Sequence, residues 1–98
     1  MTDNSQAAHM ITAAALMLQN GLVLSMKQPA RHHDIMRAAS DAGIPSEQIC
    51  SAEQGFSSSH RPFVTRQQAV RIAREAGQLD KVRPKTGPAS MLFSEDVW

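Results

Sequence analysis

A chain of 98 residues is long enough for one small domain and not two. Its hydrophobic content of 42% and charged content of 19% fit a folded protein rather than a disordered one. A net charge of +1 excludes the overall basic field that gathers nucleic acid. A domain of this size buries a modest core, which leaves room for partner chains to add burial.

Residues 1–9 are polar and are expected to form a flexible N-terminus, with a single domain over 10–98. No basic segment precedes an apolar stretch there, so no signal peptide is expected. The longest apolar run, residues 11–18, is too short to cross a bilayer. Asn20-Gly21 separates the apolar runs 10–19 and 22–26, and two readings compete. Ala, Leu and Met favour a helix, with Ser5 as its cap and Asn20-Gly21 as its end. A hairpin is preferred, because Asn-Gly suits a type I′ turn, which needs positive φ at both central residues. Leu22, Leu24 and Met26 also alternate with Val23, Ser25 and Lys27, as in a half-buried strand. The first strand would then be apolar on both faces, which implies a central position or cover from another chain.

A helix is predicted over residues 29–42, with Pro29 in its first turn, Ile35, Ala38, Ala39 and Ala42 at helical spacing, and Gly43 at C′. Residues 48–52 read as a short strand, and 54–59 as loop or strand edge. A second helix follows Thr65, which forms a capping box with Gln68, while Val64 and Ala69 fit a hydrophobic staple. Its apolar stripe is Ala69, Ile72, Ala73 and Ala76, ended by Gly77. Residues 81–88 form a basic Pro/Gly linker, and Leu92, Phe93, Val97 and Trp98 mark a docking tail. The expected fold is α+β: an N-terminal hairpin or small antiparallel sheet packed on two helices.

Cys50 is the only cysteine, so neither an internal disulfide nor a cysteine-built zinc cage is available. It reads as a buried structural thiol, in a cytosolic setting. Adjacent His32 and His33 point about 100° apart on a helix, unlike paired metal ligands at i, i+4, so no metal site is expected. One imidazole is expected to pack and the other to be solvated. Ser57, Ser58, Ser59 and His60 read as a polar loop. There is no Walker loop or Gly-rich dinucleotide fingerprint.

The arginines are more informative. Residues 61–85 hold Arg61, Arg66, Arg71, Arg74, Lys81, Arg83 and Lys85 against Glu75 and Asp80. Arg66 falls at N1 of the second helix, where free N–H groups and the helix dipole favour an anion. Arg61 lies just upstream, and Arg31 near the start of the first helix. Arg71 and Arg74 read as a solvated face, with Arg71 paired to Glu75 at i+4. Phe56, after Gly55, either packs in the core or offers a stacking face to a purine.

The Asn-Gly hairpin, ARHHDI, the block QGF…RPFVTRQQAVRIAREAGQ and the tail LFSEDVW together resemble the Thoeris anti-defence sponges. These small phage proteins capture cyclic ADP-ribose isomers, some with cyclic oligonucleotides at separate sites, and do not cleave them. The resemblance covers about residues 11–98. It implies a non-enzymatic homodimer or higher homo-oligomer that needs no cofactor, works in the host cytoplasm, and holds its ligand between protomers. It also implies Arg31 near the phosphates, Phe56 stacked on adenine, and a further basic residue, Arg83 or Lys81, from the linker. Thr65 stands where an asparagine is expected beside the base, and Arg66 adds charge next to it. The loop at 57–60 is shorter than in the family. A rival reading is a DNA-binding regulator that uses Arg66, Arg71 and Arg74. Another is an inhibitor that docks on a host protein through the apolar tail.

Overall fold

The computed structural model describes residues 9–79 and 85–98. An antiparallel four-stranded sheet has the order β2-β1-β3-β4, from β1 (Ile11–Met17), β2 (Val23–Lys27), β3 (Glu53–Ser58) and β4 (Val64–Thr65). Four helices accompany it: α1 (His32–Asp41), α2 (Ser46–Cys50), α3 (Arg66–Glu75) and the single turn α4 (Ser94–Val97). The fold is α+β, with the N-terminal hairpin as expected. The first strand, apolar on both faces, lies between β2 and β3.

The hairpin turn differs from the two-residue type I′. Gly21 has φ +90°, but no described non-glycine residue has positive φ, so Asn20 does not supply the second left-handed position. The connection is longer instead: Gly21 N–H donates to Leu18 O, Leu18 N–H to Leu22 O, and Leu22 N–H to Asn20 Oδ1. One left-handed glycine closing a longer loop is the next commonest hairpin solution.

Ile11 pairs with Ser58 and Ala13 with Ser57, so Thr12 is an extra residue in β1. A bulge there changes the alternation and returns Ile11 to the side that carries Ala14 and Leu16. Ala14, Phe56 and Val64 form one cross-strand row, and Leu16 faces Leu24. Ala14 and Leu16 pack on Ile35 of α1, and Phe56 and Val64 on Ala69, Val70 and Ala73 of α3. Both long helices therefore lie on the same face of the sheet. On the other face Gly55 is required. A Cβ there would collide with Val64 O and meet the Phe63 ring at 2.6 Å.

Several elements depart from expectation. Helix α1 begins at His32, with Arg31 as N-cap and Pro29 in the preceding turn. Asp34 Oδ2 accepts the Arg31 N–H at 2.8 Å, which fixes that start better than Pro29 would. Of the expected stripe, Ile35 and Ala39 are buried, whereas Ala38 and Ala42 are exposed. The residues read as strand 48–52 belong mostly to α2, which starts directly after Pro45 and turns only Ile49 inward. Cys50 is exposed, not buried, because it follows Ile49 on that one-turn helix. In α3 Val70 is buried and Ile72 only half-buried. Residues 1–8 of the expected flexible terminus lie outside the described residues, while His9 packs on His60. Among the described residues, no helix is long and apolar enough to cross a membrane.

Candidate anion-binding site

Helix α3 starts as its sequence dictates. Thr65 Oγ1 accepts the Gln68 N–H at 3.1 Å, and Gln68 Oε1 accepts the Thr65 N–H at 2.9 Å. This box holds Arg66 at N1. Its guanidinium bends toward the tail: Nη1 donates to Leu92 O at 2.6 Å, Nη2 donates to Gln54 Oε1, and the group lies 4.4 Å over the Phe93 ring. Burial lowers the pKa of this guanidinium, with Glu95 and Asp96 acting against that. The side chain stays charged, in surroundings where an anion would be felt strongly. A groove of about 330 Å³ runs beside it, lined by Glu53, Gln54, Gln67 and Met91 among others, so one carboxylate faces it along with Arg66.

Arg31 reaches the same tail from α1. Its Nη2 donates to Trp98 O at 2.6 Å, and its Nη1 lies 3.6 Å from Glu95. Trp98 Nε1–H donates to Ala30 O at 2.8 Å, so the last residue grips the approach to α1 from both its backbone and its ring. The tail is therefore docked, with Leu92 and Val97 buried and Phe93 and Trp98 half-buried.

The tail holds its own charge centre. The Asp96 carboxylate, almost fully buried, accepts the Thr86 N–H at 2.6 Å and the Phe93 N–H at 2.9 Å, and pairs with Lys85 Nζ at 2.7 Å. Burial alone would raise its pKa. Lys85 and the two amides outweigh burial and hold it below the usual carboxylate range. The Lys85 ammonium also donates to the Met91 and Pro88 carbonyls.

The expected site residues separate into groups. Arg31 and Arg66 come to one tail. Phe56 does not join them at the surface: it is fully buried, edge-on to His32 at 5.1 Å and to Trp98 at 6.3 Å. The chain thus gives Phe56 its core-packing role and no face for a base. Thr65 is occupied by the cap. Arg83 and Lys81 lie outside the described residues. The Arg71–Glu75 pair is not formed among the described residues.

His32 is the packed imidazole and His33 the solvated one. His32 Nε2–H donates to Gly55 O at 2.7 Å, and burial lowers its pKa, so the ring is neutral. Among the described residues no group of three His, Cys, Asp or Glu could hold a metal ion. Sequence reasoning missed Gln54 and Asp96, and it read Lys85 only as part of the basic stretch, not as the partner of Asp96. The one available signal was Asp96 three residues after Phe93, the spacing by which a carboxylate caps a helix start.

A small antiparallel sheet, two arginine-led helices on one face and a short tail clasping both define a two-layered α+β protein whose leading arginines meet at the tail. The chain belongs to the family described as phage T4 y16D protein, whose match covers residues 10–98, and it is a phage protein. Neither a curated protein nor a solved structure matches it.

Proposed function

We propose that this phage protein is a sponge for a cyclic nucleotide immune signal. In this reading it binds a cyclic ADP-ribose isomer, or a cyclic oligonucleotide, in the host cytoplasm and holds it uncleaved. The observation that carries the reading is the pair Arg31 and Arg66, one at the start of each long helix, each bonded to a main-chain carbonyl of the same tail. Two guanidiniums with fork geometry suit a pyrophosphate. The half-buried Trp98 ring takes the stacking role instead of Phe56. Retention without chemistry agrees with the state of the nearby aspartates. Asp34 and Asp96 are held ionised and are committed to backbone N–H groups.

Assembly as a homodimer or larger oligomer, with ligand between protomers, belongs to the same proposal. Supporting it, edge strand β2 carries exposed Met26, follows exposed Leu22, and borders an apolar groove of about 430 Å³ lined by Ile35, Ala38 and Ala42 among others.

The test is to mix the purified protein with cyclic ADP-ribose isomers and cyclic di- and trinucleotides, filter off free ligand, and heat the protein. Chromatography of what is released should show an intact cyclic nucleotide. A cleaved product would make the protein an enzyme, and no retained ligand would end the sponge reading.

A further inference from the structure

The arginines of residues 61–74 do not act as one cluster. Arg66 turns to the tail, and Arg74 Nη2 approaches Ala89 O at 3.5 Å. Arg61 and Arg71 instead line a separate groove of about 280 Å³ with His9, Gln68 and Glu75, walled by Val64 and Ile72. Among the described residues neither Arg61 nor Arg71 forms an ion pair.

Two imidazoles order this groove. His9 and His60 stack with centroids 4.4 Å apart and planes 16° from parallel. Ser58 Oγ accepts the backbone N–H groups of His60 at 3.3 Å and Arg61 at 3.0 Å. Those two bonds use both lone pairs of the hydroxyl. Its own hydrogen is therefore donated to His9 Nε2, 2.6 Å away. This assigns His9 the tautomer with hydrogen on Nδ1, a neutral ring with one donor left over. Burial lowers the His9 pKa, the charges of His60 and Arg61 lower it further, and Glu75 acts the other way. Counting every charged group on the groove, Arg61 and Arg71 stand against Glu75 alone.

We infer that this groove is a second anion site, separate from Arg31 and Arg66, that takes a phosphate group on Arg61 and Arg71 with His9 Nδ1–H as a further donor. The shared chemistry is a phosphate ester, carried by a free nucleotide or by a nucleic-acid backbone. The inference does not depend on the sponge reading.

The test follows the ring signals of His9 and His60 by NMR in ¹³C-histidine protein at constant ionic strength. Sulfate, whose charge is constant across the histidine titration, is added first, then pyrophosphate. Both should shift the ring signals saturably, and bound sulfate should raise the His9 titration midpoint. R61Q combined with R71Q should weaken binding at least about tenfold, since each removes charge-assisted bonds to the anion. Both residues are exposed, so the double variant should keep the wild-type melting temperature. R66Q should leave this binding within about twofold, because it does not reach the groove. Displacement of pyrophosphate by oligothymidylate with a steep salt dependence would assign a nucleic-acid backbone, and displacement by ADP with a shallow one a free nucleotide. Absence of a saturable shift, equal binding by the double variant, or displacement by neither competitor would overturn the site.

Discussion

Replacing Asp96 with Asn keeps the shape of the side chain and removes its charge. The carboxylate is 1% exposed and serves Thr86 N, Phe93 N and Lys85 Nζ. Breaking a buried charge pair costs about 3–5 kcal/mol. Lys85 keeps 22% exposure and has the Met91 and Pro88 carbonyls to fall back on, which lowers the expected loss to about 2–4 kcal/mol. With a urea dependence of about 2 kcal/mol per molar, the middle of the usual range, the unfolding midpoint should fall by roughly 1–2 M. Trp98 is the only tryptophan, and its ring is held to Ala30 O by the tail that Asp96 anchors. Its emission should shift to longer wavelength as the tail loosens. The pH dependence has a definite sign. A carboxyl whose folded pKa is depressed stabilises above its unfolded value of about 3.9, and the stabilisation is lost as pH falls through the lower folded value. The wild type should lose stability in that window, and D96N should lose less there, keeping only the part set by Asp34. If D96N unfolds at the wild-type midpoint with unchanged emission, the tail is not held by this charge centre.

Phe56→Ala should cost about 3–5 kcal/mol, read as a lowered unfolding midpoint, because the ring is fully buried. Any loss of ligand capture in that variant must therefore be read against its folded fraction. Gly55→Ala should destabilise by about 1–3 kcal/mol and shift the Phe63 ring signals, since the new methyl is driven into Val64 O and Phe63. His32 has a folded pKa below its unfolded value of about 6.5, so it stabilises above that value and the melting temperature should fall as pH drops below it. His32→Gln should reduce this slope, leaving the part that His9 contributes in the same window and the slope set by the carboxylates at lower pH.

The parts of the fold that were legible in the sequence rest on local chemistry. Thr65 and Gln68 cap α3 through side chains three residues apart, and no distant contact is needed to complete that bond. The two apolar runs around Asn20-Gly21 give the β1–β2 hairpin for the same reason, although the turn itself was resolved by sheet twist and loop length. Helix α2 was misread because five residues carry too little periodicity to tell one helical turn from a strand, and Cys50 was misplaced with it. The site was legible as charge and not as geometry. Arg31 and Arg66 stand 35 positions apart in the sequence, and only the tail brings them to a common seam. Phe56 shows the limit from the other side. An aromatic after a glycine carries the same letters whether it faces solvent or fills the row between Ala14 and Val64.

The strand order also sets a sequence of events. Hairpins β1–β2 and β3–β4 close over short stretches, and each can form early. The β1–β3 zipper must wait, because Ala14 meets Phe56 only after a loop of more than forty residues has closed. The clasp of Trp98 on Ala30 and Arg31 spans 68 and 67 positions and closes on a surface that α1 has already formed. Loop-closure entropy therefore predicts an order from two independent hairpins to one sheet, with the tail arriving last. Contacts made last are absent from the transition state, so loosening the tail should speed unfolding and leave the refolding rate nearly unchanged. On that expectation the tail acts as a kinetic latch: it would set how long the protein stays folded, and the hairpins how quickly it gets there.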